Sequence, residues 1–205
     1  MFNRTIPVLL LSLTALGPLT TRGVDQETFG ARITNTADIN EAAFELEKAI
    51  VGVLGDNKAL NRVVLFSYLA QLDPIWDAKN QLRKNVLNQF VARTKTFTRE
   101  SLLAWQGALE KVTSKASLTG VLTFLIHQEG LFEASALKTE RAAQLLARLQ
   151  SLPPKAVADW AEASRSDLAG AAMDLIGREV VFKKEKLDED AFGKLVEDAK
   201  VKAKK

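Results

Sequence analysis

The chain has 205 residues, a net charge of +3, one histidine, one tyrosine and no cysteine. That length can bury a core without disulfides or metal, as one large domain or two small ones. The absent thiols exclude disulfides, thiolate metal sites and a cysteine nucleophile, and a lone His and Tyr leave little for proton transfer near neutral pH.

Ala, Leu and Val dominate the apolar residues, and there are only 5 Pro, so the composition predicts an all-α fold. Residues 1–23 open with Arg4 and the apolar run Ile6 to Leu16, with no acid. The run has the length of a secretory signal, but Pro18 follows the nearest small-residue triplet, Ala15-Leu16-Gly17, and would hinder cleavage there. A mitochondrial leader or a retained hydrophobic anchor is the alternative, and the segment is marginal for a full crossing. Residues 24–37 show no clear period and read as a linker.

From residue 38 to 177 the pattern is helical. Asp38, with Glu41 three residues on, reads as a helix cap, Ala42, Ala43, Leu46, Ala49 and Ile50 form one apolar face, and Gly55 closes the helix. Asp56 caps the next helix. Asp73-Pro74 stops it and restarts a helix predicted to run from Pro74 to about Arg93. Thr98 opens a helix whose predicted packing face holds Leu102, Leu103, Trp105, Ala108, Leu109 and Val112.

Ala116 to Gln128 carries no acid, lysine or arginine. It is too short to cross a bilayer and predicts a helix enclosed by other helices, capped by Ser117 and ended by Gly130. Leu131 to Leu152 is predicted as one helix with Lys138, Arg141 and Arg148 outside. Pro153-Pro154 ends it, Ala156 to Ala163 is a short helix, and Ser166 caps a helix to Ile176. Residues 178–205 form a mixed-charge extension. Val180-Val181-Phe182 is undecided between strand and loop, Asp188 caps a last helix, and lysines end the chain.

These helices pair through short turns. The architecture read from them is a multi-helix bundle of antiparallel hairpins, with a short α-solenoid as the alternative. Trp76, Trp105 and Trp160 do not fall on one period, so they mark no repeat, and they read as core residues.

The sequence holds no phosphate loop, dinucleotide fingerprint or nucleophile elbow. His127 ends the neutral helix and reads as a structural residue bonding a helix-end carbonyl or Glu129. No catalytic, cofactor or metal residue is predicted. Residues 25–56 are mainly acidic and residues 57–99 mainly basic. The blocks neutralise each other as neighbouring helices, or the basic one presents a face to anionic lipid, nucleic acid or an acidic partner subunit. Lys79, Arg83, Lys84, Arg93 and Lys95 are the candidates for that face. Interleaved acids argue against nucleic acid in the C-terminal lysine run. The expectation is a non-catalytic accessory subunit of a membrane-associated assembly. The mitochondrial inner membrane is its predicted place and a respiratory or ATP-synthase complex one concrete form. A secreted or periplasmic helical binding protein is the alternative.

Overall fold

In a computed structural model, which describes residues 24–55, 62–113 and 116–202, helices α1 to α10 follow one another. They are α1 (Gln26–Thr34), α2 (Thr36–Leu54), α3 (Arg62–Gln71), α4 (Lys84–Thr94), α5 (Arg99–Glu110), α6 (Leu118–Ile126), α7 (Thr139–Ser151), α8 (Pro154–Ser164), α9 (Leu168–Gly177) and α10 (Glu189–Lys202). The N-terminal apolar segment and the expected cap at Asp56 lie outside the described residues.

The all-α expectation holds, and its internal order is serial. α1, α4 and α7 pack on α3, α6 and α9 respectively; α2, α5 and α8 pack on those same third helices. Each second helix also packs on the next first helix: α2 on α4, α5 on α7, α8 on α10. Three units of three helices are therefore stacked in line, each meeting its neighbour through one junction, as in the solenoid alternative.

A shared segment closes each unit. Every third helix runs into a 3-10 turn, Asp73–Ile75, Glu129–Leu131 or Glu179–Val181. A tight hairpin follows. In units two and three its strands are β1 (Phe132–Glu133) with β2 (Ala136–Leu137), and β3 (Phe182–Lys183) with β4 (Lys186–Leu187). In unit one the single bridge Trp76 to Leu82 takes their place. The same backbone bond locks all three: Arg83 N–H to Ile75 O, Lys138 N–H to Leu131 O and Asp188 N–H to Val181 O, at 2.7, 2.8 and 2.9 Å. The sequence beneath is acid, any residue, aliphatic, aromatic: Asp73-Pro74-Ile75-Trp76, Glu129-Gly130-Leu131-Phe132 and Glu179-Val180-Val181-Phe182. The aliphatic and aromatic residues are buried in each unit.

Several predicted elements change accordingly. Residues 24–37 are not an extended linker: they hold α1 and the start of α2, whose cap is Asn35. Asp38 instead accepts the Leu82 N–H at 2.8 Å, tying α2 to the first hairpin. The helices predicted from Pro74 and from Leu131 each begin only after their hairpin, at Lys84 and Thr139. α6 ends on His127 rather than Gly130, which sits in the 3-10 turn. Asp167, not Ser166, caps α9. Residues 178–188 complete unit three and are no appendage. The caps at Thr98, Ser117 and Gly55 stand where the sequence put them.

A buried guanidinium clasps each unit, joining its first helix to the end of its third. Arg32 of α1, Arg93 of α4 and Arg148 of α7 donate to Ala70 O, Ile126 O and Ile176 O at 2.8, 3.2 and 3.0 Å. These carbonyls belong to the last turn of each third helix, which has no intrahelical donor for them and carries the negative end of the helix dipole. The guanidinium carbons lie 5.7, 4.9 and 4.9 Å from the rings of Trp76, Phe132 and Phe182. Arg148, predicted outside, is thus an interior residue. Arg32 gains two further partners, Asp73 at 2.7 Å and Asn80 at 3.0 Å. Arg93 and Arg148 have no carboxylate at ion-pair distance among the described residues, and their Nε atoms are buried without a partner. Burial lowers the Arg148 pKa, with Arg141 adding to the effect and Glu179 and Glu185 opposing it.

Two predictions follow from these clasps and hairpins. Arg93→Ala and Arg148→Ala each leave a buried helix-end carbonyl without its donor and should cost about 2–3 kcal/mol in denaturant unfolding. A loss below about 0.5 kcal/mol would show the clasps to be dispensable, since that is the scale of an ordinary surface substitution. The hairpin turns place Ala134 and Lys184 in the left-handed region, at φ 54° and 55°. Ala134→Gly and Lys184→Gly should therefore each stabilise the fold by about 0.5–1 kcal/mol, read as a rise in melting temperature.

Candidate functional site

Three places depart from the repeat or expose chemistry: the first junction's interior, the groove above it, and the groove at the second junction.

The first junction is closed by Tyr68 and His127. Tyr68 on α3 meets His127, the C-cap of α6, with Oη and Nε2 2.5 Å apart. Phe90 of α4 packs on the other side of the imidazole, ring centres 5.1 Å apart. Burial raises the Tyr68 pKa well above its ordinary value, so the hydroxyl keeps its proton and donates, which leaves the imidazole proton on Nδ1. Burial first, and then the Arg93 guanidinium, pull the His127 pKa down to about 4. His127 thus sits where the sequence put it and is structural, but its partner is Tyr68 rather than a helix-end carbonyl or Glu129.

The basic candidates are not brought together. Arg93 is a buried clasp and leaves the proposed face. Lys84 pairs with Glu41 at 2.8 Å, as the neutralising reading of the two charge blocks requires, and this pairing raises the Lys84 pKa. Arg83 precedes α4 and reaches back to Pro74 O at 3.4 Å. Lys79 is exposed in the first hairpin turn, which the Asp77 carboxylate holds by accepting the Lys79 and Gln81 N–H groups at 2.8 and 2.9 Å. Lys95 lines a groove.

That groove, about 520 Å3, runs between the second half of α2 and the turn from α4 to α5. Ala49, Val53 and Phe97 form its apolar floor, with Ala49 and Phe97 buried. Lys48 stands on the α2 side; Lys95, Arg99 and Glu100 stand on the other. Arg99 Nη1 donates to Leu54 O at 2.8 Å, covering the end of α2. Lys48 and Lys95 make no ion pair with any described residue. The sequence reading missed Lys48, which lay in the acidic block, and left Arg99 out of its candidates. Only the fold joins these two blocks at one edge.

The second junction has a smaller groove, about 350 Å3, lined in part by Phe124 of α6, Gln128 just beyond it, Trp160 of α8, and Met173, Asp174 and Arg178 of unit three. Trp160 Nε1 donates to Asp174 at 2.8 Å, Arg178 Nε donates to the same carboxylate at 2.8 Å, and the guanidinium covers the indole at 4.8 Å. Trp105 holds the corresponding place in unit two, equally buried, with no hydrogen bond to its indole among the described residues. The three tryptophans are all core residues, as the sequence predicted.

Exposed apolar side chains also fall into register. Aligning the buried faces Leu46-Ala49-Ile50 and Trp105-Ala108-Leu109 pairs Phe44 with Leu103, which are 59% and 47% exposed. Leu103, predicted to pack inward, points to solvent instead, because its neighbour Leu102 already takes the core side.

Among the described residues, no three His, Asp or Glu side chains converge as a metal site, and no helix is long and apolar enough to cross a membrane. The fold and these surfaces define a three-unit all-α repeat protein. The chain matches no known protein family, no curated protein and no solved structure.

The Tyr68–His127 plug gives stability a defined acid dependence. Above pH 6.5 both folded and unfolded chains hold a neutral imidazole. Between pH 6.5 and about 4 the unfolded chain takes a proton that the fold refuses, so stability falls as pH drops through that window. The loss at the lower end reaches about 3 kcal/mol at most, at 1.36 kcal/mol per pKa unit. Denaturant titrations at pH 7 and pH 4.5 should show the decline, and His127→Gln should remove most of that difference.

Proposed function

We propose that this chain is a non-catalytic helical scaffold subunit whose stacked units hold partner proteins in a larger assembly. The observation that supports it is the column Phe44 and Leu103, two large apolar side chains left in solvent at the same place on successive second helices. Burial of such a side chain is worth about 1.5–3 kcal/mol, so a repeat that keeps two of them outside has surface to offer a partner. Stacked repeats supply extended surfaces of this kind, since each unit adds its face to the next.

Membrane association remains part of the reading, on the acid-free run Ile6 to Leu16 behind Arg4. The mitochondrial inner membrane is the proposed place, and a respiratory or ATP-synthase complex one form of the assembly. The same run supports a second reading, an exported binding protein that loses its first twenty or so residues; the N-terminus of the native protein, read by mass spectrometry, separates the two.

The scaffold reading is tested by native electrophoresis after gentle solubilisation of the source membranes. The expected result is migration well above the chain's own 22.5 kDa, lost in the pair Phe44→Glu and Leu103→Glu while the melting temperature stays within a few degrees of wild type. Migration of the wild type at 22.5 kDa would refute it.

A further inference from the structure

The groove over the first junction carries chemistry that the repeat does not need. The equivalent position at the second junction is the surface between α5 and the turn from α7 to α8. The clasps Arg93 and Arg148 align the two turns and put Gln150 at the place of Lys95 and Pro154 at that of Arg99. The buried faces of α2 and α5 put Gly107 at the place of Lys48. The apolar floor, by contrast, is kept: Phe97 corresponds to Leu152, and both are buried. Stacking thus requires the floor and tolerates neutral residues at all three cationic positions.

We propose that this groove docks an extended acidic segment of a partner protein, with an apolar side chain on the Ala49–Val53–Phe97 floor and carboxylates reaching Lys48 on one bank and Lys95 and Arg99 on the other. The site rests on the scaffold reading and names the partner chemistry for one of its surfaces. Three cations against Glu100 leave the groove positive, and charge complementarity selects an acidic partner and speeds its encounter. The cations flank a recess with a greasy base, so a chain whose acidic and apolar residues alternate satisfies both banks and the floor together. A bilayer surface meets cations on a protruding face, and a nucleic acid strand calls for exposed aromatic rings to stack its bases. This groove offers neither.

The test uses the full chain and a fluorescein-labelled hexapeptide of alternating glutamate and leucine, with the glutamine-leucine hexapeptide as its neutral twin. Saturable binding of the acidic peptide alone is expected, weakening as salt is raised. Lys48→Glu together with Lys95→Glu should weaken it at least about tenfold, on the scale of lost charge complementarity. Both lysines are exposed and their side chains bond to no described residue, so circular dichroism and melting temperature should not move. Arg99 is left intact because it covers the end of α2. Lys79→Glu with Arg83→Glu, equal in charge but off the groove, should bind as wild type does.

Equal binding by the Lys48/Lys95 variant, no saturable binding of the acidic peptide, or preference for phosphatidylserine vesicles through the same two lysines would each overturn the assignment. Assembly is read separately, by native migration. A chain that migrates at high mass yet ignores the peptide loses the groove and keeps the scaffold.

Discussion

Each unit of this protein depends on one interaction, a guanidinium buried at the end of a helix. The last carbonyls of α3, α6 and α9 have no donor within their own helices. The chain bends there into a 3-10 turn and hairpin, so water cannot serve them. Arg32, Arg93 and Arg148 reach in from the first helix of each unit, donate to Ala70 O, Ile126 O and Ile176 O, and cover Trp76, Phe132 and Phe182. Burying a cation is costly, and the three sites meet that cost differently. Arg32 has the carboxylate of Asp73 and the amide of Asn80, and sits farthest from its ring. Arg93 and Arg148 have no such help and lie closer, where a desolvated cation–π contact is worth about 2 kcal/mol. The same geometry is thus held by an ion pair in one unit and by ring contact in the others.

That clasp makes the neutral helix possible. No residue of α6 is exposed, and Ser117 is the one exposed residue between Ala116 and Gln128. α4 and α5 pack on it within its own unit, and the Tyr68–His127 pair joins it to unit one. A helix without charged side chains has no polar face to turn to solvent, so it must be enclosed. Its first N–H groups are met by Ser117 and its last carbonyls by Arg93. Removing charge from the middle helix and burying charge at the helix ends within each unit are two sides of one design.

Much of this is legible in the sequence. Capping residues at Thr98, Ser117 and Gly55, the stop at Pro153-Pro154 and the enclosed helix all follow from side-chain chemistry that acts within a few residues. The hairpins did not. Their strands are two residues long, and Leu131, Phe132 and Leu137 fall at spacings a helix also tolerates, so the segments merged into the helices that follow them. Only Asn80 announces a left-handed turn; Ala134 and Lys184 occupy the same conformation without the usual residue type. The repeat was hidden by its most conspicuous marker. Trp76 belongs to the hairpin column with Phe132 and Phe182, whereas Trp105 and Trp160 share the second-helix column, so the three indoles never had a common period. The acid-x-aliphatic-aromatic quartet was the signal available. Arg32, Arg93 and Arg148 could not be found as interior residues, because local pattern places arginine outside and only tertiary contact brings it in.

A repeat also separates architecture from specialisation, because each position has a counterpart under the same packing demands. Tyr68 and His127 fill the first junction; Phe124 and Gly177 occupy the corresponding places at the second, where no such bond can form. A groove lies beside Phe124 there, edged by Trp160, Asp174 and Arg178. Lys48, Lys95 and Arg99 line the first groove; Gly107, Gln150 and Pro154 stand in for them at the second. The buried residues beneath change little between units, since Phe97 becomes Leu152 and Trp105 becomes Trp160. Packing therefore accounts for the floor of the first groove, and the end of α2 for Arg99, but neither calls for Lys48 or Lys95. Lys48 and Lys95, whose side chains bond to no described residue and whose counterparts are neutral, are not required by the stacking of these helices.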